Sequence, residues 1–171
     1  MSTFLELAKK RYSCRSYTSD PIDDTQLQQI LEAARLAPTA ANRQPFALVL
    51  THTAGQEAEL RRIYDRDWFV QAPLIITVVG LPDKAWVRKQ DEQNYVAVDA
   101  TIALDHLILA AADLGLGTCW IAAFDPVAAR EVLALPDDVA PLAMTPLGHP
   151  ADAWRPKKRV DMESLIHHER W

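Results

Sequence analysis

The sequence predicts one mixed α/β domain in which helices cover a small sheet on both sides. Three observations carry that prediction. Asn94 to Leu114 has no Gly or Pro and is rich in Ala and Leu, the best apolar helix formers. Pro73-Leu74-Ile75-Ile76-Thr77-Val78-Val79 is almost continuously apolar, the mark of a central strand covered on both faces. Around these two, helical and extended patterns alternate with no linker, repeat or low-complexity tract, so residues 1–171 form one layered unit.

Taken in order, Thr3 to Lys10 is expected to be a short helix with Phe4, Leu7 and Ala8 inward. Lys10 to Tyr17 alternates cationic, hydroxyl and aromatic side chains in an extended or irregular segment. Asp20-Pro21-Ile22-Asp23-Asp24 is a turn and N-cap, its acids suited to the positive end of a helix dipole. That helix runs from Thr25 to about Leu36, with Leu27, Ile30, Leu31 and Ala34 inward. Two prolines make Ala37 to Pro45 a loop, and Phe46 to Leu50 a strand follows. Ala54 to Asp65 is expected to be a helix, and Pro82 to Gln93 is charged and solvent-facing.

The long helical run is the spine. Asp99, His106 and Asp113 recur at every seventh residue and share one stripe, while most of the circumference is apolar. Such a helix is buried on nearly all sides. Asp105 lies off the stripe, so it is expected to be buried and paired, or at an interface. Gly115 and Gly117 end the helix with a left-handed cap and a tight turn. Thr118 to Ala123 then reads as a short buried strand, whose small residues let backbone N–H groups approach whatever packs there. A flat ligand and plain helix–sheet packing both fit that pattern. Pro126 to Leu133 is a helix with Asp125 at N-cap and Pro126 at N1. Ala140 to Leu147 is a strand whose prolines call for an edge position or a bulge. Trp154 to Arg159 is an extended basic arm, and Met162 to His167 a last short helix.

The net charge of −5 removes any general electrostatic case for nucleic acid or an anionic membrane. Asp105, His106 and Asp113 interrupt the apolar run around Leu107–Ala112, so it cannot span a bilayer. Ser2 to Leu7 shows no basic segment leading into an apolar core, and no secretory signal is expected. Cys14 and Cys119 are solitary and distant, which fits free thiols in a reducing compartment, the cytoplasm by default.

Basic side chains gather at two places distant in sequence: Arg11 with Arg15, and Lys157, Lys158 and Arg159. Beside Ser13 they supply the parts of a phosphate clamp, through charge-assisted hydrogen bonds and a hydroxyl. The same residues also read as two solvated basic patches. In Pro38 to Pro45, prolines stiffen a loop in which Thr39, Asn42 and Gln44 offer donors and acceptors. These suit the edge of a heteroaromatic ring, or equally the capping of the loop's own turns. No Ser lies in a Gly-x-Ser-x-Gly setting, the histidines show no metal spacing, and Cys119 sits where a thiolate is disfavoured.

Arg11-Tyr12-Ser13-Cys14-Arg15-Ser16-Tyr17, Ala37 to Phe46, Gly115 to Ile121 and Pro156-Lys157-Lys158-Arg159 occur in this order and at these separations. In these four motifs the chain resembles the short form of the FMN-dependent nitroreductase family over nearly its whole length. The resemblance implies an α+β fold: a mixed, mainly antiparallel sheet sandwiched between helix layers. It also implies a homodimer with non-covalent FMN in two interface sites. Arg11, Ser13 and Arg15 would hold the FMN phosphate, ribityl chain and pyrimidine edge, with Tyr12 counted in the same motif. Lys157 and Arg159 match the family's late Lys-x-Arg pair on the phosphate side. Pro38, Thr39, Ala40 and Asn42, with Gln44, match the loop that the second subunit lays against the flavin. Ile121, Ala122 and Ala123 match the strand whose backbone faces the ring. The implied activity is hydride transfer from NAD(P)H through flavin N5 to nitroaromatic, quinone or similar acceptors, with no obligatory acid or base residue. Dehalogenating and flavin-fragmenting branches of the fold, and a non-catalytic flavin carrier or sensor, are the alternatives. Three departures stand out: Ala122 where relatives often have Gly, Phe46 for a frequent Trp, and His106 for a common Asn. Asp65 to Asn94 shows no match to the excursion that covers the substrate side of the flavin.

Overall fold

The apolar run predicted as a central strand is strand β2, Leu74–Gly80, and every one of its residues is buried. The computed structural model describes residues 3–171; Met1 and Ser2, at the head of the stretch read for a secretory signal, lie outside the described residues. Helices are α1 (Phe4–Lys10), α2 (Asp24–Arg35), α3 (Glu57–Ile63), α4 (Asp67–Gln71), α5 (Val96–Asp113), α6 (Pro126–Val132) and α7 (Met162–Leu165). Strands are β1 (Phe46–His52), β2, β3 (Val87–Arg88), β4 (Gln93–Asn94), β5 (Gly117–Thr118) and β6 (Ala140–Gly148). The main sheet has the order β1-β2-β6-β5, each neighbouring pair antiparallel, and β3 with β4 forms a separate hairpin.

Successive side chains of a strand face opposite sides, so β2 feeds two cores. Leu74, Ile76 and Val78 pack with Ile30 and Ala34 of α2 and with Ala100, Leu104, Leu107 and Ala111 of α5. On the other face Ile75 meets Leu60 and Ile63 of α3, Phe69 of α4, and Ala128 and Ala129 of α6. The predicted sandwich is therefore present, with α5 spread along one face of the sheet.

Local signals set most ends. Asp23 caps α2 by accepting from the Thr25 and Gln26 N–H groups, and Asp125 caps α6 through Val127 and Ala128. Gly115, at φ 80°, closes α5: its own N–H donates to the Ala112 carbonyl and that of Leu116 to Ala111. This is the paired bonding of a Schellman cap. Strand β6 lies between β2 and β5 rather than at an edge, and takes the alternative, a register shift opposite Val78/Val79. The shift falls beside Pro141, which has no N–H to give to a regular ladder.

Several expectations need correcting. Helix α1 buries no residue, and Phe4 and Leu5 are 72% and 63% exposed, so its apolar side finds no core within one chain. The helix expected over Ala54–Asp65 is shorter, because Tyr64 turns extended (φ −150°, ψ 102°) and α4 starts afresh after Arg66. The β3–β4 hairpin occupies part of the stretch read only as charged surface. Asp105 is exposed in the single chain, which removes the buried reading of it and leaves the interface one. The acid taken inside is Asp99, 1% exposed, because the Pro38–Pro45 loop closes over the first turn of α5. The strand expected over Thr118–Ala123 pairs regularly only at Gly117–Thr118 and again at a bridge from Ile121 to Met144. Between them the Cys119 N–H donates to the Thr145 hydroxyl, 3.0 Å away, instead of to a ladder carbonyl. Ala122 and Ala123 are exposed. Among the described residues no helix is long and apolar enough to cross a membrane.

Candidate functional site

The N-terminal basic segment is held extended against β5. Arg11 caps α1 with its N–H on the Leu7 carbonyl, and the chain then runs straight, Ser13 bridging Thr118 in parallel. The Cys14 N–H donates to the Thr118 carbonyl at 2.9 Å. This approach requires Gly117, since a Cβ there would stand 2.8 Å from Cys14 Sγ. After β6 the chain comes back over the same segment. Tyr17 bridges Pro150, the Ala151 N–H donates to the Ser16 carbonyl, and the Tyr12 hydroxyl donates to Asp152. Lys157 Nζ then donates to the Ala8 and Lys9 carbonyls at the C-terminal end of α1, where a cation is favoured.

The two basic clusters thus meet. A cavity of about 500 Å³ is lined by five cations, Arg11, Arg15, Arg155, Lys157 and Arg159, together with Tyr12, Ser13, Ala153 and one acid, Asp152. Among the described residues none of the five is in an ion pair with a carboxylate. Burial, followed by the charges of Arg11 and Arg159, lowers the Lys157 ammonium below the usual lysine range. Burial by itself would raise the Asp152 carboxyl. Hydrogen bonds from the Arg15 N–H, the Cys14 thiol and the Tyr12 hydroxyl outweigh it and hold the group low. The Arg15 guanidinium lies over the Trp68 ring, 5.9 Å from its centroid. Arg11, Lys157 and Arg159 also line an adjoining groove of about 600 Å³ with Phe4, Asp105, Leu109 and Trp154.

Of the predicted site residues, Arg11, Tyr12, Ser13, Arg15, Lys157 and Arg159 are brought together in this cavity; Ile121, Ala122 and Ala123 do not line it. The loop bearing Pro38, Thr39, Ala40, Asn42 and Gln44 lies elsewhere. It is fixed to the N-terminal turn of α5 by Asp99, whose Oδ1 accepts from the Ala40 N–H at 2.9 Å while Oδ2 is buried without a hydrogen-bond partner. The cavity instead borders a groove at Asp105 and Leu109 of α5. From Asp99 to Leu109 is about 15 Å along a helix at about 1.5 Å per residue. Ala41, Asn42 and Gln44 have φ of 51°, 55° and 50°, a region that costs non-glycine residues about 1–2 kcal/mol each. Hydrogen bonds from the Gln44 N–H to Thr39 Oγ1 and from Gln44 Nε2 to Asn42 hold that shape. Reading the chain as a sequence missed Asp152, Arg155 and Trp68. Arg155 stands inside the basic arm and was open to view; nothing local marks the other two.

Burial moves the Cys14 thiol from its ordinary 9.0 to about 11 and raises that of Cys119 as well. Iodoacetamide at pH 8 is therefore expected to label neither cysteine in the folded chain and both in denaturant; rapid native labelling of Cys14 would contradict its packing. The unfolded thiol loses its proton first, so the stability tied to Cys14 is intact below about pH 9 and is lost as pH rises towards about 11.

Fold and cavity together define a class: an α+β protein in which two basic segments distant in sequence converge, around one edge of an antiparallel sheet, on a pocket lined by cations. The chain belongs to the nitroreductase family, whose model matches residues 8–68 and 56–149. It is 32% identical over 173 residues to an FMN reductase [NAD(P)H] of Bacillus subtilis strain 168, covering 92% of this chain and 70% of that protein. An NADH dehydrogenase of Thermus thermophilus is 28% identical, with 93% and 92% covered. Among solved structures, a nitroreductase family protein from Clostridium difficile 630 superposes with a TM-score of 0.88 at 34% identity, over 99% of this chain and 100% of that one.

Proposed function

We propose that this chain is an NAD(P)H-dependent oxidoreductase that works with bound FMN and passes hydride to nitroaromatic, quinone or similar conjugated acceptors. The observation that carries the reading is the meeting of Arg11 and Arg15 with Lys157 and Arg159 in a cavity that holds five cations and one carboxylate. A phosphate dianion suits that donor set. Its charge would offset both the burial and the neighbouring Arg11 and Arg159 charges that lower Lys157, and Ser13 adds a hydroxyl donor. Arg11, Ser13, Lys157 and Arg159 would hold the phosphate end, and Arg15 would place positive charge where the reduced ring system is negative. Ala122 and Ala123, both exposed, would face the ring. Bound FMN would supply the redox chemistry, hydride transfer between NAD(P)H and the acceptor in a ping-pong sequence, while the residues named here would hold and orient it.

The Thr39–Asn42 loop and the cavity lie at different levels of α5, so one chain presents two partial sites. A second copy would bring its loop to the first copy's ring and so complete both. The uncovered apolar surface of Phe4, Leu5 and Val98 supports such an assembly. The test is direct. Protein purified with FMN should be yellow, sediment as a dimer, and lose its flavin absorbance when NADPH or NADH is added. A colourless monomer that ignores added FMN would overturn the proposal.

A further inference from the structure

We infer that Asp152 is a positioning residue: it clips the N-terminal basic segment to the C-terminal basic arm while leaving the cations between them available to a phosphate. The inference rests on reading the cavity as the place where the FMN phosphate is held. A carboxylate set among five cations would be expected to pair with them and cancel part of their field. Asp152 pairs with none of them. Its Oδ1 accepts instead from the Tyr12 hydroxyl at 2.9 Å and the Cys14 thiol at 3.1 Å, and its Oδ2 accepts from the Arg15 backbone N–H at 2.9 Å. Its own carbonyl takes a further bond from the Tyr12 hydroxyl at 3.0 Å.

All of these donors are uncharged. Both carboxylate oxygens are thus occupied without using any guanidinium or ammonium group. From Arg15 it is the backbone that is engaged, which leaves its guanidinium, over the Trp68 ring, without a carboxylate partner. The bonds reach Tyr12, Cys14 and Arg15 at one end of the chain, and the residue holding them begins the arm that carries Arg155, Lys157 and Arg159 at the other. Tyr12, expected among the cofactor contacts, here serves the clip, since its one O–H proton is shared between the Oδ1 and the carbonyl oxygen of Asp152.

Two physical effects predict opposite signs for Asp152→Asn. By charge alone, removing a carboxylate beside a phosphate tightens binding. By position, an amide keeps one acceptor for the Arg15 N–H but turns its NH2 toward the Tyr12 hydroxyl and the Cys14 thiol. Their hydrogens must then turn to other acceptors, so the clip loosens and phosphate binding weakens. The experiment titrates full-length apo-protein with FMN and with riboflavin, which differ in the phosphate, for wild type, Asp152→Asn and Tyr12→Phe. The expected result is a fall of about tenfold or more in the FMN-over-riboflavin preference of Asp152→Asn, equivalent to about 1.4 kcal/mol. A smaller fall in the same direction is expected for Tyr12→Phe, which keeps the carboxylate and removes one donor. General loss of structure would weaken both ligands together and leave the ratio unmoved. A preference unchanged or increased in Asp152→Asn overturns the inference but leaves the phosphate reading standing. A wild-type protein that does not distinguish FMN from riboflavin overturns the phosphate reading, and the inference with it. Should Asp152→Asn not fold, Tyr12→Phe decides alone, and an unaltered ratio there is the overturning result.

Discussion

Arg11→Ala combined with Lys157→Ala is expected to weaken FMN binding by a factor on the order of 10³ while changing riboflavin binding little. A hydrogen bond to a charged group contributes about 1.5–3 kcal/mol, and each 1.4 kcal/mol is about tenfold in affinity. Two such bonds alone would give a factor between about 10² and 10⁴. The outcome should fall inside that range rather than at its top, because the two sites are not independent. Arg11 is one of the charges that lower Lys157, so removing one cation relieves the other. The loss should also appear as a shallower dependence of affinity on salt, since fewer cations then draw the phosphate through solution. Fluorescence titration of apo-protein at two ionic strengths measures both. An FMN affinity equal to wild type in the double variant would end the assignment of this cavity to phosphate.

Phe69→Ala is expected to destabilise the apo-protein by about 3–5 kcal/mol in urea unfolding, the usual cost of emptying a buried aromatic position. Phe69 is 0% exposed and packs against Leu60, Ile63, Ile75 and Met144. Its ring meets Tyr64 edge to face at 5.4 Å, a geometry worth something beyond burial alone. Set against the total of about 5–15 kcal/mol usual for a domain, that is a large fraction. Trp68, the neighbour of Phe69, lies beneath the Arg15 guanidinium, so movement of α4 would be transmitted to the cation-lined cavity. A destabilisation below about 1 kcal/mol would mean that the second core is not packed as described.

The elements legible in the sequence are those whose cause is local. Helix α5 was marked by its length and its lack of Gly or Pro, and its end by Gly115. Helix α6 was marked by the Asp125–Pro126 start, and β2 by an apolar run too continuous for a one-sided strand. Elements held by their surroundings were not legible. The five residues of α4 are too few to hold a helix without the core that receives Phe69. The shortening of the Thr118–Ala123 strand is decided by a neighbour, Thr145, whose hydroxyl takes the Cys119 N–H.

The same division runs through the site. Residue types alone determined which side chains could meet an anion: Arg11, Ser13, Arg15, Lys157 and Arg159 carry charge or hydroxyl groups in any fold. They determined too that the Pro38–Pro45 loop would be stiff. Only the tertiary structure decided that the two ends of the chain meet, because that meeting depends on Gly117, on β6 returning beside β5, and on Asp152. Nothing near Asp152 in sequence marks it. Its role comes from three neutral donors on a segment at the other end of the chain, gathered only when the sheet has formed. Local periodicity and capping are set over one or two turns of chain, whereas the balance of like charges in a cavity is set by whatever the fold places there.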